Sequence, residues 1–342
     1  MVSTLKDVAA RAGVSVRTVS NVVNNYVHVA EGTRARVQAA IDELEYRPNL
    51  LARNLKLGRS GIIALVVPEL DVPYFAELAR LIVHQARAAG YTVLMDQTDG
   101  DEQRERELVT EVTRGVSFDG MIVSPLSLTE AELEARHSST PIVLLGERLF
   151  DSGADHVGID NVRAAREATA HLFSLGCRRI AAIGAQRASG TAILRTRGFR
   201  EAFAEAGLEV DESLVIPVLH YHREDGATAM VRLLQLAEPP DAVFCFSDLL
   251  ALGAQRVALA RGLSVPRDLA IVGFDDIEDG RYATPTLTTI APDKAEIARA
   301  AVRQILARIE TEGDPGAVPP REIEAPFRLL LRESTLGEGA PA

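Results

Sequence analysis

The 342-residue sequence has no tryptophan and only two cysteines. Cys177 and Cys245 stand far apart, and neither has a His or Cys neighbour at metal-ligand spacing, which excludes a disulfide framework and a zinc site. Both are expected to be reduced thiols in apolar surroundings. No stretch approaches the ~18 consecutive apolar residues that would span a bilayer. The N-terminus carries Lys6, Asp7 and Arg11 among its apolar positions, so it does not read as a signal peptide, and the chain is expected to be cytoplasmic. Three nucleotide and catalytic signatures are also missing: a Gly-x-Gly-x-x-Gly after the first strand, a P-loop, and a Gly-x-Ser-x-Gly elbow. No enzyme, cofactor or metal is therefore expected.

What is present fits a globular protein of more than one core. The chain is 47% hydrophobic and 25% charged, with glycine and proline spread along it. Single cores stop growing near ~250 to 300 residues, so two or three folding units are expected. The net charge of −11 is unevenly placed. Residues 1–60 hold nine Lys and Arg against five Asp and Glu, a net of +4, which leaves −15 on the remainder. A basic head on an acidic body places any polyanion contact at the N-terminus.

The head reads as three short helices: Leu5 to Ala12, Val16 to Val23, and Thr33 to Leu44. Leu5, Val8, Val19, Val22, Val37, Ile41 and Leu44 recur at helical spacing and can close a small core. Between the first two helices, Gly13 suits a positive φ and Ser15 suits an N-cap, so the second helix starts at an angle to the first. That is helix-turn-helix geometry. On the second helix Val19, Val22 and Val23 face inward, while Val16, Arg17, Thr18 and Asn21 fall on a polar-leaning outward side. Such a face can enter a major groove, where arginine grips the O6 and N7 acceptors of guanine.

From Gly61 the texture becomes apolar β-runs alternating with amphipathic helices. Strands are read at Ile62 to Val67, Tyr91 to Asp96, Gly120 to Ser124, Pro141 to Leu145, Arg179 to Gly184, Leu214 to Leu219, Ala242 to Phe246 and Leu269 to Phe274. Strands separated by 10 to 15 residues of helix imply parallel, doubly wound sheets. Their number implies two Rossmann-like lobes, with the tail returning to finish both. A ligand cleft is expected between them, at the carboxyl ends of the strands.

The run from Thr4 to Ser20, with Val22-Val23-Asn24 and Tyr46-Arg47-Pro48-Asn49, resembles the lactose-repressor and galactose-repressor (LacI/GalR) family of bacterial transcriptional regulators. Weaker matches follow in the same order: Pro73-Tyr74-Phe75, Arg195-Thr196-Arg197-Gly198-Phe199, Asp248, Val272-Gly273-Phe274-Asp275-Asp276 and Pro285 to Ile290. The resemblance implies an all-α helix-turn-helix head, residues 1–46, and a hinge helix or linker, 47–60. An α/β core of two periplasmic-binding-protein-like lobes follows, 61–335, with the tail 336–342 disordered. The first lobe would take about 61–160 and 291–320, the second about 161–290 and 321–335. By this resemblance Val16, Arg17 and Asn21 read bases, while the polar side chains of Thr4, Ser15, Thr18, Ser20 and Asn24 can donate to phosphates. Asn49, Ala52 and Leu55 belong to the hinge on DNA, with Leu55 as the leucine that wedges into the minor groove. A hinge this short orders only when two copies meet on a pseudo-palindromic operator.

In the cleft, Arg195 matches the family's ligand-clamping arginine and Asp275 an effector contact. Tyr221 aligns with an aromatic that stacks on sugars, and Tyr74 and Phe75 would line the first lobe. Ser247 and Asp248 follow a strand end; an Asp there serves equally as a helix N-cap. The chain departs from common members in having Ser247 for Asn, Val72 for Asn, and Lys294 for an aromatic. These departures leave the effector open, a sugar being the family's commonest. His220 to Glu224 read as a solvated loop rather than an acid-base cluster. The rival readings, a solute-binding protein or an enzyme on the same fold, lack an export signal and a catalytic motif respectively. The chain's last residues hold no apolar heptad, so a homodimer rather than a coiled-coil tetramer is expected.

Overall fold

The computed structural model describes residues 3–23, 26, 28–44, 46, 59–110, 117–134, 136, 140–146, 153–186, 190–311 and 319–339. The chain divides into two units, Met1–Gly61 and Ile62–Ala342.

In the first unit, α1 (Leu5–Ala12), α2 (Val16–Val23) and α3 (Glu31–Glu43) enclose Val8, Val19, Val22, Val37 and Ala40. Tyr46 closes the same core and is nearly buried, a role its hydrophobic spacing did not show. The ends of α1 are set by its own residues. The Thr4 backbone N–H donates to the Asp7 carboxylate at 2.8 Å, while Asp7 N–H donates to the Thr4 hydroxyl, a reciprocal capping box. Gly13 ends the helix at φ 66°, where a Cβ would be strained. Ser15 then accepts from Thr18 N–H at 3.1 Å and starts α2. Helix α3 begins at Glu31, two residues before the expected Thr33, because Ala30 at its N-cap offers no side-chain signal.

Among the described residues the second unit holds twelve strands. They are β1 (Ile62–Val67), β2 (Thr92–Gln97), β3 (Gly120–Val123), β4 (Ile142–Leu145), β5 (Asp155–Gly158), β6 (Ile180–Ala185), β7 (Val215–Pro217), β8 (Ala242–Cys245), β9 (Ala270–Phe274), β10 (Thr288–Pro292), β11 (Glu322–Glu324) and β12 (Phe327–Leu330). The first sheet runs β11-β5-β4-β3-β1-β2 and is parallel throughout. The second runs β12-β10-β9-β8-β6-β7, parallel except where β12 pairs antiparallel with β10. Central strands such as β3, β4, β8 and β9 are buried along their whole length, as helices on both faces of a parallel sheet require.

The helix Lys294–Glu310 returns to the first lobe, where Ile297, Ala301, Ile305 and Ile309 join Ile63, Leu65 and Val143 in one core. The boundary expected between residues 320 and 321 lies later. Strand β11 pairs with β5 in the first sheet, and the chain passes to the second lobe only after Ala325, whose N–H still donates to Gly158 O of β5 at 2.7 Å. The cause is Asp155, which is buried, takes a bidentate Arg308 (2.9 and 2.7 Å) and accepts Arg321 N–H at 2.8 Å, so the returning chain is tied to β5. The expected tail also starts late: Leu336 still belongs to the helix Glu333–Leu336, and residues 340–342 lie outside the described residues.

Candidate functional site

On the head, α2 presents Val16, 41% exposed, and an exposed Arg17 on one side while Val19 and Val22 are buried on the other. Arg17 forms no ion pair with any other described residue. Asn21, Thr18 and Ser20 are half-buried at the edge of this face. Two residues expected to donate to phosphates have local duties. The Thr4 hydroxyl donates to Asp7 at 2.7 Å and holds that carboxyl below its ordinary range, and Ser15 caps α2 while sharing a 2.8 Å hydrogen bond with the Thr18 hydroxyl. Asn24, Asn49, Ala52 and Leu55 lie outside the described residues.

In the second unit a cavity of about 340 Å³ opens between the two sheets at the carboxyl ends of β1, β3, β6, β8 and β9. Tyr74, Phe75, Arg195, Tyr221, Ser247 and Asp275 all line it. Tyr74 and Phe75 sit in the first turn of the helix Pro73–Ala88, their rings edge to face at 5.3 Å. Across the cleft, Arg195 is nearly buried on the helix Gly190–Glu205. Its Nε donates to Asn161 Oδ1 at 2.8 Å, its Nη1 donates to Phe246 O, and its guanidinium carbon lies 3.4 Å from the centre of the Phe274 ring. These contacts fix the orientation of the guanidinium at the cavity wall. The Tyr221 hydroxyl donates to Gly184 O at 2.7 Å, so this side chain offers the cavity a ring face rather than a donor.

Asp248, expected either as a ligand contact or as an N-cap, is neither. It does not line the cavity; Ser247 is the cap, accepting Leu250 N–H at 3.2 Å, and Asp248 is the first residue of the helix Asp248–Ala260. It is fully buried and accepts from Ile277 N–H at 2.9 Å and from the Thr289 hydroxyl at 2.6 Å. Burial, reinforced by the nearby Asp275, pushes its carboxyl well above the usual range. Asp248 thus holds up the loop that carries Asp275. That loop is held under backbone strain, with φ of 113° at Asp275 and 49° at Asp276, values that L side chains rarely adopt. Burial acts to raise the Asp276 carboxyl, but hydrogen bonds from Arg281 and Arg332 outweigh it and hold the carboxyl low.

Of the segment His220 to Glu224 read as a solvated loop, His220, Tyr221 and His222 line the cavity, while Arg223 and Glu224 open the helix Arg223–Leu233. His220 and His222 stack at 5.4 Å, and His222 Nε2 lies 2.6 Å from Glu69 Oε2 on the opposite lobe. The Glu69 hydrogen bond raises the His222 imidazole above its ordinary value. Glu69, His222 and Asn161 are site residues that sequence reasoning missed. Glu69 immediately follows Pro68 at the end of β1, where the carboxyl-end rule points, but its partner stands 153 residues away.

The described residues include no group of His, Cys, Asp and Glu suited to a metal ion, and no helix among them is long and apolar enough to cross a membrane.

Comparison with known proteins fits this geometry. Residues 4–49 match the family described as bacterial regulatory proteins, lacI family, and residues 169–335 match the periplasmic binding protein-like domain. The transcriptional repressor PurR of Haemophilus influenzae is 34% identical over 334 residues, covering 97% of this chain and 98% of that protein. The regulator CelR, solved with cellobiose, is 32% identical with a TM-score of 0.73, covering 97% of this chain and 99% of that one. The lac repressor dimer, solved on its operator with the anti-inducer ONPF, is 27% identical with a TM-score of 0.83, covering 98% and 100%. With a helix-turn-helix head, two parallel-sheet lobes and full-length similarity to such regulators, this chain belongs to the LacI family of bacterial transcriptional regulators.

Proposed function

We propose that the protein is a homodimeric repressor that binds a pseudo-palindromic operator through Arg17, Val16 and Asn21, with its affinity set by a small neutral sugar held in the cleft. The observation that carries this reading is the cavity. It brings a fixed guanidinium (Arg195), a strained acidic acceptor (Asp275), a hydroxyl (Ser247) and four aromatic side chains (Tyr74, Phe75, Tyr221, Phe274) around a volume in the range of small-ligand sites. Among the described residues, three carboxylates, Glu69, Glu102 and Asp275, line that volume against one guanidinium, with His222 beside Glu69. This balance favours hydroxyl groups over phosphate or carboxylate, and CelR provides a precedent for a sugar ligand on the same fold.

Ligand in the cleft would draw the lobes together, and the head would be released or gripped according to which lobe arrangement the operator complex prefers. Asn24, Asn49, Ala52 and Leu55 are proposed to complete the DNA contacts, as the family resemblance implies. Pairing of two copies is supported by β2, an edge strand that leaves Leu94 and Met95 40% and 46% exposed. A thermal-shift screen of the full chain against neutral sugars, sugar phosphates and nucleobases tests the ligand class. A neutral sugar should raise the midpoint by mass action, and a response only to phosphorylated compounds would overturn the reading.

A further inference from the structure

The side chain of Lys294 is only 7% exposed, yet it does not line the cavity. It stands at the start of the helix Lys294–Glu310, the positive end of that helix's dipole, where a cation is disfavoured. An ammonium has three donors, and Nζ places them on three acceptors: Asp275 O at 3.0 Å, Asp276 O at 3.1 Å and Glu77 Oε2 at 2.5 Å. The two carbonyls belong to the strained loop of the second lobe, and Glu77 to the first-lobe helix Pro73–Ala88. One turn before Glu77 on that helix, the Tyr74 ring lies 5.9 Å from the same nitrogen.

We propose that Lys294 is a positioning residue that ties the loop bearing Asp275 to the opposite lobe's helix bearing Tyr74 and Phe75, so that the two halves of the ligand site move as one. With Asp275 and Asp276 at positive φ both carbonyls lie within reach of one nitrogen, and an ammonium with three donors holds both carbonyl dipoles there. Glu77 supplies the compensating charge from the other lobe. A ligand that pulls on Asp275 therefore pulls, through Nζ, on the helix Pro73–Ala88. This role rests on the cavity being the ligand site, but the tie itself can be measured without ligand.

The test is hydrogen–deuterium exchange on the full chain for wild type, Lys294→Met, Glu77→Gln and the double variant. The amides of Asp275 and Ile277, which donate to Ile290 O and Asp248, report on the loop. Lys294→Met should speed their exchange about tenfold. Glu77→Gln, which removes the charge paired with Lys294 from the other lobe, should speed the same amides in the same direction, and the double variant should add nothing to Lys294→Met. If Lys294→Met does not fold, Glu77→Gln alone still decides. Loop exchange within twofold of wild type in Glu77→Gln would show that Lys294 serves each lobe separately, and would overturn the proposal whatever ligand the cavity takes.

Discussion

Replacing Arg195 by methionine separates ligand sensing from DNA binding. Methionine fills most of the volume but removes the guanidinium. Asn161 Oδ1 and the Phe246 carbonyl then lose their donor, and the Phe274 ring loses the cation 3.4 Å from its centre. Removing the charged donor from two buried acceptors costs about 1 to 3 kcal/mol each, and losing the cation–π contact about 0.5 to 2 kcal/mol. Relief from burying a charge offsets part of that, so a loss near 2 to 4 kcal/mol of stability is expected. Ligand affinity falls separately, because a hydrogen bond from a charged donor contributes about 1.5 to 3 kcal/mol, a factor of roughly 10 to 150 in Kd. Calorimetry with the sugar that most raises the wild-type midpoint would read the second loss, and denaturant unfolding the first. Operator affinity without ligand should stay within about twofold, since Arg195 lies in the second unit. Unchanged sugar affinity in a folded Arg195→Met protein would refute the placement of the site.

Arg17→Ala should weaken operator binding by about 1 to 3 kcal/mol and relax preference at one base pair in each half-site. Equal losses on operator and random DNA would make Arg17 a phosphate contact instead. The His222–Glu69 pair should respond to pH. Because the folded imidazole is raised above its ordinary value of 6.5, its contribution is complete below that value and disappears as pH rises through the folded one. Glu69→Gln should therefore lower the melting point at about pH 5.5 and leave it unchanged near pH 8.5, whereas a pH-independent penalty would exclude an ionic pair. Light scattering at micromolar concentration should give close to twice the 36.9 kDa chain mass, and a dominant monomer or tetramer would contradict the proposed assembly.

The parts of this structure that announce themselves in sequence are those whose signals are local. Helix α1 begins and ends, and α2 begins, where Thr4, Gly13 and Ser15 place them, because capping chemistry acts within three residues. Strands β1, β3, β4, β8 and β9 stand out as apolar runs because both faces are covered. Strand β5, Asp-His-Val-Gly, carries no such run, since Asp155 is buried only through its pairing with Arg308 and a backbone N–H from the returning chain. The cleft divides in the same way. Arg195 and Asp275 could be placed by motif and strand end. Asp248 could not, because two adjacent residues at the same strand end, Ser247 and Asp248, point one into the cavity and the other beneath it. Glu69, His222 and Lys294 acquire their roles from partners on the other lobe, distances that no sequence window spans.

The central claim is that occupancy of the cleft sets the affinity of the head for DNA. The most direct test is fluorescence anisotropy of a selected palindromic operator titrated with the full chain, with and without saturating sugar, at fixed salt. The coupling should change the operator Kd by about 5- to 150-fold in one direction, corresponding to ~1 to 3 kcal/mol between the two sites. A sugar that saturates the cleft by calorimetry yet moves operator affinity by less than about twofold would contradict the account.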